Sequence, residues 1–158
     1  MPNLTRETTV MSKMKPKPAD NKIVATMIEL AQCRALHRII LAGSSIPQRV
    51  AELHRRGYCR VAATTNCGLP RGHYDVALVE WRLHSVKALE TTLTWLVHFL
   101  APSSTLVIWI DGREQSAQRK LRSVLDKLGF RVEVGTRCEP GLAISARRLE
   151  ARPMAVAA

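Results

Sequence analysis

Residues 74–110 read YDVALVEWRLHSVKALETTLTWLVHFLAPSSTLVIWI. The stretch opens on a continuous apolar run, Val76 to Val79, too short for a helix and suited to a strand buried on both faces. Val86, Leu89, Leu93, Leu96, Val97 and Leu100 then recur every three or four residues, which places them on one helical face. Ala101-Pro102-Ser103-Ser104 breaks that pattern as a turn, and Thr105 to Ile110 is a second buried, β-branched run. Strand, helix, turn and strand make a βαβ unit, whose crossover is expected to be right-handed.

Working outward, the flanks repeat the same alternation. Asp20 is placed to cap a helix over about 21–36, with Ile23, Met27, Leu30 and Ala31 as its buried stripe. Arg38 to Ala42 predicts a strand, followed by Gly43-Ser44-Ser45. Ser45 reads as the cap of the next helix and Pro47 suits its first turn. That helix is expected to bury Val50 and Leu53, to carry Arg49, Arg55 and Arg56 on its far side, and to stop at Gly57. Tyr58 to Thr64 predicts a second strand and Thr65 to Gly72 a loop. Beyond the central unit, a helix from about Glu114 to Leu128 should turn Ala117, Leu121, Val124, Leu125 and Leu128 inward, leaving Arg119, Lys120 and Arg122 on its surface. Phe130–Thr136 and Leu142–Leu149 then form strands around the Glu139-Pro140-Gly141 turn.

The 158 residues suffice for one domain with a full core, and 46% hydrophobic with 23% charged residues describes a soluble globule. The domain is expected over 20–150, between a basic N-terminal arm at 1–19 and a tail at 151–158. No apolar stretch reaches the roughly 18–20 residues of a membrane span, and no secretory signal is recognisable, so the expected location is cytoplasmic. Cys33, Cys59, Cys67 and Cys138 contain no closely spaced pair of the kind zinc needs, and they read as free thiols. Net charge is +11. Arg6, Lys13, Lys15 and Lys17 against Glu7 account for +3 of it, so the folded part is itself basic. Such a field attracts an acidic protein or, weakly and without sequence preference, nucleic acid, with Arg55, Arg56 and Arg60 as the candidate contacts.

Alternating α and β elements with a closing antiparallel pair imply an α/β fold, a three-layer open and mainly parallel sheet. From Gly68 to Arg148 the chain resembles the class I S-adenosylmethionine-dependent methyltransferases. GLPRGHYDVALVEWRLHSV looks like that family's entry to its central strand, LAPSSTLVIWID like the strand that follows, and LGFRVEV with CEPGLAISARR like its closing hairpin. The resemblance implies a Rossmann-like sheet and an S-adenosylmethionine site, without a metal, beyond the carboxyl ends of the strands. Gly43, Ser44, Ser45, Asn66, Glu80 and Trp81 are the candidate cofactor contacts.

The cofactor half departs from the family pattern. Its glycine-rich loop is reduced to Gly43-Ser44-Ser45-Ile46-Pro47. The second strand runs out through Ala63-Thr64-Thr65-Asn66 without the acidic ribose ligand, and only nine residues, Thr65 to His73, stand where a βα repeat would be. A weakly active or inactive relative is expected, the alternative being a non-catalytic binding or regulatory module. YDVALVEWRL also resembles the third strand of a receiver domain, but Gly43-Ser44-Ser45 supplies no acidic pair for Mg²⁺. No catalytic residue is assigned. His84 and His98 read as solvent-facing, Ser45 as a helix cap, Trp81 as a packing lid, and Glu80 as either a ligand contact or a solvent partner of Arg82.

Overall fold

The computed structural model describes residues 18–66, 68–82, 85–111 and 115–149, so the expectations for the N-terminal arm before Pro18, for Cys67, for His84 and for the tail lie outside the described residues. In chain order the elements are α1 (Pro18–Ala31), β1 (Ile39–Gly43), α2 (Ile46–Arg55), β2 (Val61–Ala63), β3 (Tyr74–Trp81), α3 (Val86–Leu96), a 3-10 turn (Val97–Phe99), β4 (Leu100–Ile110), α4 (Gln115–Lys127), β5 (Phe130–Cys138) and β6 (Gly141–Arg148). The six strands form one sheet in the order β2-β1-β3-β4-β6-β5. β2, β1, β3 and β4 run parallel, and β6 inserts antiparallel between β4 and β5.

Strand alternation divides the core into two layers. Ile40, Ala77, Val79, Leu106 and Ile108 face Leu89, Leu93 and Leu96 of α3 and Leu121, Val124 and Leu125 of α4. Ile39, Leu41, Val76, Leu78, Val107 and Trp109 face Ile23, Val24 and Met27 of α1 and Leu53 of α2. Helices therefore cover both faces of the central strands, which is why those strands read as unbroken apolar runs.

Several boundaries differ from the sequence expectation for local reasons. α1 begins at Pro18 instead of about residue 21, because a proline lacking its N–H is tolerated in the first turn. It ends at Ala31, where Gln32 turns to a φ of 52°, well short of residue 36. The second strand is only Val61–Ala63: it lies at the edge of the sheet and pairs with β1 alone. The apolar spacing of α3 continues to Leu100, but the helix stops at Leu96, and Leu100 already pairs with Tyr74.

Ala101-Pro102-Ser103-Ser104 is not the expected turn between helix and strand but part of β4. Tyr74 pairs with Leu100 and Val76 with Thr105, so two steps along β3 oppose five along β4. The surplus residues form a bulge that accommodates Pro102, which has no N–H to give to a ladder. At the other end of the sheet, Gly141 lies against β4: a Cβ there would stand 2.1 Å from the Ile110 carbonyl oxygen. Trp109 closes this corner by donating its indole N–H to the Cys138 carbonyl at 2.9 Å.

Leu93 is fully buried between α3 and the sheet, whereas its neighbour Thr94 is exposed. Leu93→Ala should cost about 2–5 kcal/mol of stability, and Thr94→Ala no more than about 0.5 kcal/mol, read from urea unfolding midpoints at constant slope.

Candidate functional site

β1 and β3 are neighbours from which the chain departs in opposite directions, towards β2 on one side and β4 on the other. The crevice beyond their carboxyl ends is the switch point where open α/β sheets hold ligands. Gly43 and Glu80 stand side by side there in the parallel register. The Ser44 N–H donates to the Glu80 carbonyl at 2.7 Å, and a Cβ on Gly43 would lie 2.0 Å from that oxygen. Gly43 also holds a φ of 95°, so glycine is required twice over. Its missing side chain makes room for β3, not for a ligand.

The Glu80 side chain is not in solvent. It is 2% exposed, and the sheet's alternation puts it on the same face as Val76 and Leu78, beneath α2. Arg49, 5% exposed, reaches down from the first turn of α2, and its Nε donates to Glu80 Oε1 at 2.7 Å while Nη2 meets the same oxygen. Arg82 Nε donates to Oε2 at 3.1 Å, and its guanidinium lies 4.6 Å over the Trp109 ring. Both carboxylate oxygens are thus engaged by guanidinium N–H groups. This corrects two expectations: Arg49 is not on the far side of its helix, and the Glu80–Arg82 pair forms with its carboxylate buried instead of in solvent. A buried carboxylate is stable only with such partners.

Ser45 corrects a third. It precedes α2 in the left-handed region, φ 58° and ψ 33°, and its side chain makes no capping hydrogen bond. Ser85 does cap its helix, accepting from the Ala88 N–H at 3.2 Å. Trp81 alternates to the opposite face from Glu80 and packs against the α3–α4 layer, so these sequence neighbours do not line one wall. Asn66 is exposed in the turn after β2, its N–H bonded to the Ala63 carbonyl at 3.0 Å. The structure therefore brings Gly43, Ser44 and Glu80 together, adds Arg49 and Arg82 to them, and places Trp81 apart.

The basic group at the end of α2 is likewise tied down. Glu52 accepts from Arg55 at 2.5 Å and from Arg56 at 2.9 Å, one arginine on each oxygen. Hydrogen bonding from Arg55, and after it from Arg56, holds the Glu52 carboxyl below its usual range against the upward push of burial. Arg60 is exposed, as are Arg119, Lys120, Arg122 and His98.

Glu80→Gln leaves Arg49 buried against a neutral partner and should cost about 3–5 kcal/mol, while the double change Arg49→Met with Glu80→Met should recover most of that loss. Chemical denaturation of the three proteins at neutral pH checks this. Glu52 gives a pH signature of defined sign: with its folded pKa depressed, its contribution is fully present above the unfolded value of about 4.3 and is lost as pH falls through the folded value. Wild-type stability should therefore drop more steeply than that of Glu52→Gln between about pH 5 and pH 3.

No protein-family model matches the chain, and no curated protein matches it in sequence. Solved structures do. A Burkholderia thailandensis 1,6-didemethyltoxoflavin N1-methyltransferase, solved with S-adenosylhomocysteine, superposes with a TM-score of 0.64 at 15% identity, covering 84% of this chain and 79% of that one. The cyclase SpnF gives 0.62 at 11% identity, over 84% and 82%. A Thermotoga maritima S-adenosylmethionine-dependent O-methyltransferase gives 0.58 at 14%, over 91% and 71%. At such identities the likeness concerns architecture. The chain has the Rossmann-like fold of the S-adenosylmethionine-dependent methyltransferases.

Proposed function

We propose that this chain is a methyltransferase-fold domain with a degenerate cofactor site, weakly active or inactive in methyl transfer. The observation that carries this reading is the Arg49–Glu80–Arg82 cluster at the switch point. S-adenosylmethionine brings a sulfonium cation beside its ammonium and carboxylate groups, a net positive charge that favours negative or neutral surroundings. The cluster offers it only a carboxylate whose two oxygens are already occupied by guanidinium N–H groups.

Two further features point the same way. The space a glycine opens beside β1 is taken by the Glu80 carbonyl. The edge strand β2 leads into Thr64-Thr65-Asn66 without a carboxylate to accept a pair of ribose hydroxyls. The residues present fit the cofactor poorly, and Gly43, Ser44, Ser45 and Asn66 would contact a nucleoside chiefly through backbone groups and neutral side chains. No described helix is long and apolar enough to cross a membrane, so a membrane-spanning helix forms no part of the reading.

A second reading, a non-catalytic module for an acidic protein or nucleic acid, is favoured by the exposed Arg119, Lys120 and Arg122 on α4. It differs from the first in its salt dependence: three neutralised phosphates give a slope of about −2.7 in log affinity against log salt on duplex DNA.

Calorimetric titration with S-adenosylmethionine and S-adenosylhomocysteine, alongside a methyl-transfer assay, tests the first reading. We expect no saturable heat from S-adenosylmethionine below the millimolar range, binding of S-adenosylhomocysteine, which lacks the sulfonium charge, at least as strong, and no turnover. Micromolar S-adenosylmethionine binding, together with methyl transfer, would overturn it.

A further inference from the structure

We propose that the opposite pole of the sheet, at the amino ends of β1, β2 and β3, binds a small organic phosphate. The inference does not rest on the reading of the carboxyl pole. A cavity of about 420 Å³ opens there, within the range of small-molecule sites. Arg38 enters it from just before β1, Arg60 from just before β2 and His73 from just before β3, three adjacent strands converging on one bowl.

Arg38 is held in place before any ligand arrives. The Asp75 Oδ2 accepts from its backbone N–H at 3.0 Å and from its Nε at 3.4 Å. Its Nη1 lies 3.2 Å from His73 Nδ1. A guanidinium has no acceptor, so Nδ1 must be the accepting nitrogen and the imidazole proton sits on Nε2. The His73 ring in turn stands edge-on to Tyr74, with centroids 5.1 Å apart. The remaining N–H groups of Arg38 and the Nε2–H of His73 are thereby left as donors of fixed orientation.

Charge and shape define the ligand. Asp75 offsets Arg38, and Arg60 has no carboxylate within ion-pair distance among the described residues, so the bowl carries an uncompensated positive charge. Val61, Ala62 and Tyr74 supply an apolar wall beside these donors. A carboxylate would be saturated by one guanidinium fork, whereas a phosphate monoester presents three terminal oxygens to donors arriving from separate strands. The phosphate would sit between Arg38 and Arg60, with a flat organic group against the apolar wall.

Cys59 lines the same cavity and is exposed, so its alkylation reports occupancy. Cys138 is buried, and burial pushes the Cys33 thiol up to about 12, leaving both slow to react. The experiment measures iodoacetamide labelling of the Cys59 peptide by mass spectrometry in the full chain, with phenyl phosphate, inorganic phosphate or benzoate added. Phenyl phosphate should slow labelling about tenfold at roughly ten times its dissociation constant, and inorganic phosphate should do so more weakly. Arg60→Glu should abolish the protection, while Arg119→Glu, on α4, should keep it. Arg60→Gln serves as a second variant if charge reversal disturbs the fold by circular dichroism. Absence of protection up to tens of millimolar, or equal protection in the Arg60 variants, would overturn the proposal. Protection by benzoate but not by either phosphate would overturn the phosphate assignment and make the site one for carboxylates.

Discussion

A carboxylate at the carboxyl end of the central strand, 2% exposed, sets conditions that the surrounding chain has to meet. Glu80 cannot stay charged beneath α2 unless donors reach it, and an isolated buried ion costs several kcal/mol after relaxation. Arg49 meets that condition from α2 and Arg82 from the residue after β3. The consequence is geometric as well as energetic. α2 is held onto the end of β3 by the ion pair, and the β1 turn is held there by the Ser44–Glu80 backbone bond. The switch point, open to ligands in a general α/β sheet, is here also a structural joint.

Much of the fold was legible because its signals are periodic. Val76–Val79 and Thr105–Ile110 read as doubly buried strands and lie adjacent in the middle of the sheet. The closing strand around 142–149 read as antiparallel, and β6 is antiparallel to both its neighbours. Misreadings fell where two patterns overlap. Val97 and Leu100 continue the α3 spacing, yet a 3-10 turn intervenes and Leu100 belongs to β4. The proline of the 101–104 segment looked like a terminator, since a bulge inside a long strand carries no hydrophobic period of its own.

The candidate site was less legible, because its chemistry depends on which face each side chain takes. Arg49 precedes Leu53 by four residues and so shares its buried helical face, but charge alone made it look exposed. Glu80 follows Val76 and Leu78 at strand period, which marks it as inward once the strand is known to extend past Val79. Both positions are readable by parity, whereas their pairing across 31 residues is not. Ser45 carries the residue type of a cap with a left-handed backbone, a difference that composition does not encode. Arg38 and His73 meet only because β1 and β3 are neighbours, a fact of topology.

Helix direction explains part of the basic excess. In this sheet α1 and α2 each run back to the amino ends of the strands, so their carboxyl termini, with partial negative charge, gather at that pole. His54 and Arg55 occupy the last turn of α2, with Arg56 as its C-cap, and Lys127 stands in the last turn of α4, the positions where cations stabilise a helix. Glu52 then fixes Arg55 and Arg56 within one turn of the helix end. These charges serve α2 itself, so a +11 total overstates what is offered to a polyanion. Arg38 and Arg60 differ in kind. They lie outside the helices, at the strand entrances, where among the described residues Asp75 holds only the first of them. A basic surface distributes its charge between internal needs and external ones, and here the strand entrances carry a part that no helix end consumes.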